Sequence, residues 1–96
     1  MNPTMLTLAQ AQALLPGSVL HGAPDTPFAR VHTDTRTLRD GDLFVALRGE
    51  RFDGNEFLTQ ARAAGAVAAL AERGLSAAMP GLQVSDTLAA LQTLAA

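Results

Sequence analysis

The sequence predicts a small α/β domain, a short sheet flanked by helices, and three observations carry that prediction. Residues 43–47, LFVAL, are continuously apolar and bounded by turn signals, the mark of a strand buried on both faces. From there onward, helix-period segments alternate with short apolar strands, as in an α/β unit. The third observation is size: 96 residues, 48% hydrophobic and 17% charged, suit one globular domain rather than a disordered chain. Area scaling buries about 64% of the extended chain's surface at this size, so the core is small and a partner domain can cover one side.

Along the chain, TLAQAQALL opens the periodicity. Thr7 and Gln10 have capping-box spacing, in which each side chain satisfies a backbone N–H that the first turn leaves free. Leu6 is placed to pack on Ala11, while Leu8, Ala11, Leu14 and Leu15 share a face and Pro16-Gly17 ends the helix. Ser18 to His21 reads as a short strand. Phe28 to His32 alternates as another, with Phe28, Arg30 and His32 on one side. The polar stretch TDTRTLRDGD follows and closes in an Asp40-Gly41 turn, whose two aspartates, Asp40 and Asp42, are expected in solvent.

Beyond LFVAL, Asp53 and Glu56 repeat the capping-box spacing, and Phe57, Leu58, Ala61 and Ala64 supply the buried side of the next helix. Gly65 suits a left-handed cap because it has no side chain to clash there. AVAALA and LQV are further strands, and Ser85 or Asp86 caps a last helix whose Leu88, Leu91 and Leu94 face inward. That helix meets the last residue without a stop signal, as a boundary inside a longer chain would leave it.

Charge and residue usage narrow the chemistry. All seven cationic side chains are arginine, against nine acidic ones, for a net charge of −2. With no lysine, the chain cannot supply a P-loop lysine, a Schiff base or a lysine general base. Mild acidity argues against non-specific nucleic-acid binding, although a local arginine can still hold a phosphate. No cysteine is present, so disulfides, thiolate nucleophiles and cysteine metal sites are excluded. The two histidines, His21 and His32, stand in no HxxxH or HExxH spacing. The first residues lack a signal-peptide pattern, and no apolar run approaches a membrane span, so a cytoplasmic domain is expected.

Two segments concentrate the remaining chemistry. In Thr33-Asp34-Thr35-Arg36-Thr37, hydroxyls can donate to phosphate or base carbonyl oxygens, and Arg36 offers a planar fork. The plainer alternative is that Asp34 and the hydroxyls cap a turn while Arg36 pairs with Asp34, Asp40 or Asp42. In Gly49-Glu50-Arg51-Phe52-Asp53-Gly54-Asn55, a ring, a cation and amide groups sit at the carboxyl end of the buried strand, where open α/β sheets bind ligands. There Phe52 can cover a planar base or plug the core, and Asp53 can cap the helix in either case.

Taken together, TDTRTLRDGDLFVALRGERFDGNEF, ARAAGAVAALAE and LQVSDTLAALQTLA resemble the N-terminal domain of the Mur ligases, ATP-dependent amide-bond-forming enzymes of peptidoglycan synthesis. The resemblance spans essentially the whole chain, with its specificity in the middle segment. It implies that residues 1–96 are the first of three domains, holding the UDP end of a UDP-muramoyl-peptide. The central domain and the C-terminal domain would lie outside this chain, as would the ATP and Mg2+ that the full enzyme uses. Carried over by motif, Thr35 and Arg36 match the hydroxyl and arginine near the uridine and phosphates. Glu50, Arg51 and Phe52 match the loop around the uracil, with Asp53 and Asn55 supporting it.

The wording RGERFDGNEF is similar to the dipeptide-adding branch, which joins D-alanyl-D-alanine to UDP-N-acetylmuramoyl-tripeptide. The diaminopimelate- or lysine-adding branch shares the D-(S/T)-R and GDLFVA framework but usually lacks GERFDG. Neither nucleic acid nor membrane insertion is implied. Two other classes fit the residues: a free-standing nucleotide-sugar-binding module and a protein-interaction domain using the LxxLxxL face of the last helix. A GxxGK(S/T) segment downstream of Ala96 would exclude the free-standing module.

Overall fold

The computed structural model describes residues 6–28, 30–47, 53–76 and 79–95, with only the backbone of Ala95. Among them, five strands form one mixed sheet: β2 (Val19–His21), β4 (Arg30–His32), β5 (Asp42–Val45), β6 (Ala68–Ala71) and β7 (Gly81–Gln83). Their spatial order is β2-β7-β6-β5-β4. β4 to β7 run parallel, and β2 closes one edge antiparallel to β7. A separate two-stranded ribbon pairs β1 (Leu6–Thr7) with β3 (Pro27–Phe28). The small α/β class expected from the sequence is the one observed.

Strand alternation sends side chains to two layers. Leu43, Val45, Ala68, Leu70 and Leu82 face α1 (Leu8–Leu14) and α3 (Thr87–Ala95), meeting Leu8, Ala11, Leu15, Phe28 and Ala90. Phe44, Ala46, Ala69 and Ala71 face the other way, toward Leu38, Met79 and the Leu58 and Ala61 side of α2 (Leu58–Ala64). Leu43 to Val45 of β5 and all four residues of β6 are buried, as the continuous apolar runs predict, and Asp42 is buried with them.

Local signals set the helix ends. The Thr7 hydroxyl accepts from Gln10 N at 3.2 Å, and Gln10 Oε1 accepts from Thr7 N at 2.9 Å, completing the capping box. Gly65 ends α2 at φ +117°, where its N–H reaches back to the last turn. Asp86, rather than Ser85, caps α3 by accepting from Ala89 N at 3.1 Å.

Three expectations are corrected. The run from Phe28 to His32 is two strands in two sheets: Phe28 pairs with Leu6, whereas Arg30–His32 pairs with β5. The N-terminal ribbon captures the first part, and the edge of the five-stranded sheet takes the second. On α3 the inward stripe is Thr87, Ala90, Leu91 and Leu94, at i, i+3, i+4 and i+7, which leaves Leu88 53% exposed. Leu14 turns outward for the same reason, since Leu8, Ala11 and Leu15 already make that stripe on the first helix.

Candidate functional site

The site begins where β4 ends. A 3-10 turn, Thr35–Thr37, follows the strand and is capped by Asp34, whose carboxylate accepts from Arg36 N at 2.9 Å. The same carboxylate is gripped by the Arg36 fork, with Nε at 3.1 Å and Nη2 at 2.8 Å. These side-chain hydrogen bonds, followed by the backbone one, hold the Asp34 pKa down at about 2. They raise that of Arg36. The Arg36 side chain is 86% exposed, so the pair is weakly held and the guanidinium can exchange Asp34 for a phosphate.

Beside this turn lies a cavity of about 490 Å³. Thr33, Asp34, Thr35 and Arg36 form a polar wall, and Phe44, Leu47 and Phe57 form an apolar one. It sits at the carboxyl ends of the parallel strands β4 and β5, the usual place for a ligand in an open α/β sheet. Hydroxyls and a cation facing two aromatic rings can take a flat ring on one side and an anionic group on the other.

A second polar network braces the chain returning from β5. Asp53 caps the 3-10 turn Gly54–Phe57 by accepting from Asn55 N at 2.9 Å and Asn55 Nδ2 at 2.7 Å. Arg73 closes on its other oxygen at 2.6 Å. The Asn55 side chain is the larger cause, and Arg73 the next, that hold the Asp53 pKa at about 2. Asn55 is buried, and its Oδ1 accepts from Glu72 N at 2.8 Å, stapling the turn to the end of β6. The expected Asp53–Glu56 capping box is replaced: Glu56 approaches Arg73 at 3.8 Å instead. Gly54 lies so close to β5 that a Cβ there would stand 2.7 Å from the Leu47 carbonyl oxygen.

Of the residues singled out from the sequence, Thr35 and Arg36 line the cavity. Asp53 and Asn55 stand in the network that ties the Gly54–Phe57 turn to the end of β6. Glu50, Arg51 and Phe52 lie outside the described residues. Phe57 is the addition: its helix-face spacing marked it as core, yet it reaches the cavity wall. Its place immediately before α2, at the N-cap, separates it from Leu58 and Ala61, and nothing in the helix-face spacing marks that difference.

Asp42 is also corrected. Rather than being solvated, it is 2% exposed and opposite Arg30 in the β4–β5 register. It accepts Arg30 Nε and Nη2 at 3.2 Å each and Arg39 N at 2.8 Å. Among the described residues no three histidine or acidic groups cluster as a metal site would need.

Together these features define a small α/β domain with a cavity, polar on one wall and aromatic on the other, at the carboxyl ends of its parallel strands. The chain belongs to the Mur ligase family: the family model described as "Mur ligase family, catalytic domain" matches residues 27–96. It is 50% identical over 91 residues to the UDP-N-acetylmuramoyl-tripeptide--D-alanyl-D-alanine ligase of Escherichia coli, a match covering 95% of this chain and 20% of that protein. A UDP-N-acetylmuramoyl-L-alanyl-D-glutamate--2,6-diaminopimelate ligase from Gloeobacter violaceus is 41% identical over 75 residues, covering 75% of the chain and 15% of that protein. The crystal structure of MurF from Acinetobacter baumannii superposes with a TM-score of 0.84 at 36% identity, covering 98% of this chain and 21% of that one. The chain therefore spans about a fifth of the length of the D-alanyl-D-alanine-adding ligase and the MurF structure it matches.

Proposed function

We propose that residues 1–96 form the N-terminal domain of an ATP-dependent ligase that joins D-alanyl-D-alanine to UDP-N-acetylmuramoyl-tripeptide in cytoplasmic peptidoglycan synthesis. The domain's task is to hold the UDP end of that substrate. The observation that carries this reading is the 50% identity along 95% of the chain to a ligase of that activity. The lower 41% identity to the diaminopimelate-adding relative favours the dipeptide-adding branch. The cavity supports it chemically: Thr35 and Arg36 meet phosphate or carbonyl oxygens, while Phe44 and Phe57 offer apolar walls to a pyrimidine. Glu50, Arg51 and Phe52 complete the uracil loop in this proposal, with Asp53 and Asn55 bracing it.

ATP and Mg2+ act in the full-length enzyme on the central domain. The described residues do not fit them, because the chain has no lysine for a P-loop and its described acidic groups form no metal cluster. No helix of the described residues is long and apolar enough to cross a membrane. What this domain adds to the reaction is positioning: binding energy at the distant nucleotide fixes the reacting carboxylate in the neighbouring domains.

The test is an amide NMR titration of the chain. UDP should shift Thr35, Arg36 and residues 50 to 55, and ADP at equal concentration should shift them less, because a purine is larger and presents a different edge. Replacing Phe52 with Ala should weaken the UDP response by about 1 to 3 kcal/mol through loss of ring stacking. Equal responses to UDP and ADP, centred elsewhere, would reject the reading.

A further inference from the structure

We infer that His32 is a positioning residue for the cavity's polar wall, acting through Arg30 and Thr37 in its neutral, Nδ1-protonated form. The placement comes from the sheet. Arg30 and His32 alternate on β4 and so share a face; in register they stand opposite Asp42 and Phe44 of β5. His32 is thus beside Phe44, which forms part of the cavity's apolar wall.

Its two ring nitrogens touch different partners. Nε2 meets Arg30 Nη2, a group that can only donate, so Nε2 is the acceptor. Nδ1 then carries the proton and faces the Thr37 hydroxyl at 3.4 Å, which itself donates to the Asp34 carbonyl at 3.2 Å. A continuous line of polar contacts results. It runs from the buried Asp42 carboxylate through Arg30, His32 and Thr37 to Asp34, the cap of the turn that walls the cavity.

Adding a proton to His32 breaks this line at one bond. Nε2–H would confront the Arg30 guanidinium, and its remaining carboxylate, Asp42, lies at 3.8 Å and is already held by Arg30 and Arg39 N. The charged groups facing the imidazole are therefore Arg30 on its own strand and Asp42 on β5, with Asp34 and Arg36 beyond Thr37 on the turn. A charged His32 swings off Arg30, and the turn loses its anchor to the sheet.

The inference deepens the UDP reading and rests on it only for the ligand arm of the test. In the free chain, long-range ¹H–¹⁵N spectra at about pH 8 should show His32 as the Nδ1–H tautomer, and Thr35 to Thr37 amides should shift when the pH is lowered to about 5. His32→Asn keeps a neutral donor near Nδ1 but is too short to accept from Arg30, so it should remove that pH response and hold the turn's shifts near those of the acidified wild type. His32→Ala should displace the turn's shifts at both pH values while distant β6 amides stay unchanged. With UDP added, the wild-type affinity should fall several-fold on acidification, and that of His32→Asn should not. An Nε2–H tautomer, or turn amides indifferent to pH and to both substitutions, would overturn the inference while leaving the UDP reading intact. Absence of any UDP response together with the expected tautomer and turn shifts would reject the UDP reading and uphold the role of His32.

Discussion

The two faces of the central sheet are built from the same strands and do different work. Toward α1 and α3, Leu43, Val45, Leu70 and Leu82 meet leucines and alanines, and the layer is apolar and closed except for a cavity of about 350 Å³ at its rim, between the end of α1 and α3. Toward α2, Phe44 and the small residues Ala46, Ala69 and Ala71 leave the seven-residue helix to cover only part of the sheet. The uncovered part is filled by polar turns, two arginine–carboxylate pairs and the cavity. One layer holds the strands together, and the other is shaped by where apolar coverage stops. The cavity lies at that margin.

The largest effects should come from truncating each face. Leu70→Ala on the closed face and Phe44→Ala on the cavity face both remove fully buried side chains, and urea unfolding should show losses of about 2 to 5 kcal/mol for each. Their consequences should then diverge. At a temperature where both variants remain folded, Leu70→Ala should bind UDP as the wild type does, whereas Phe44→Ala, which opens the cavity wall, should bind it more weakly. Equal binding losses would mean that the two faces are not functionally distinct.

A smaller stability effect is expected at Asp42, the one carboxylate buried on the cavity face among the described residues. Asp42→Asn keeps the shape but weakens the charge-assisted fork from Arg30, at a cost of about 1 to 3 kcal/mol in chemical unfolding. Arg30 retains access to water, with 42% of its side chain exposed, which keeps the cost below that of a fully orphaned charge. A neutral substitution would show that the pair contributes only register.

The sequence exposes devices that act over three or four residues. The Thr7–Gln10 box, the Gly65 cap, the apolar β5 run and the Asp34 cap all follow from spacing on one short segment, whereas the structure chooses Asp34 as the Arg36 partner from the three aspartates within reach. What it hides depends on distant neighbours. Asp42 looks like a turn residue until β4 brings Arg30 opposite it. The Asp53–Glu56 box fails because Arg73, twenty residues on, takes one Asp53 oxygen, while Asn55 takes the other. The cavity's polar wall was legible, in the Thr33-Asp34-Thr35-Arg36 run. The Phe57 contribution was not, since periodicity cannot tell the last residue before a helix from the first one in it.

Acid titration should separate the two exposed carboxylate clusters beside the cavity face. Asp34 and Asp53 both have pKa values lowered to about 2 in the folded chain from an ordinary 3.8. A depressed folded pKa means that each contributes stability above the unfolded value, lost as pH falls from about 4 through about 2. The causes differ in kind. Asp34 owes most to the Arg36 side chain, so Arg36→Gln should return its carboxyl much of the way in ¹³C-detected titrations, the backbone N–H of residue 36 holding the remainder. Asp53 owes most to Asn55, so Arg73→Gln should raise it only part of the way. A full return at Asp53 would show that Asn55 contributes less than its 2.7 Å contact indicates.

The smallest effect tests the outer side of the closed face. Leu88 is 53% exposed on α3, one position off the inward stripe of Thr87, Ala90, Leu91 and Leu94. Hydrophobic stabilisation follows area removed from water, so a leucine that keeps half its surface exposed gives little to the fold. Leu88→Gln should therefore change unfolding stability by less than about 0.5 kcal/mol, as surface substitutions do. Leu91→Ala, one turn along and packed against the core, should cost more. Measured together by urea unfolding, the pair fixes the helix's rotation on the sheet. If Leu88→Gln proves the costlier of the two, α3 is turned by roughly one residue, about 100°. The closed face would then bury the Leu88, Leu91 and Leu94 stripe that the sequence spacing first indicated.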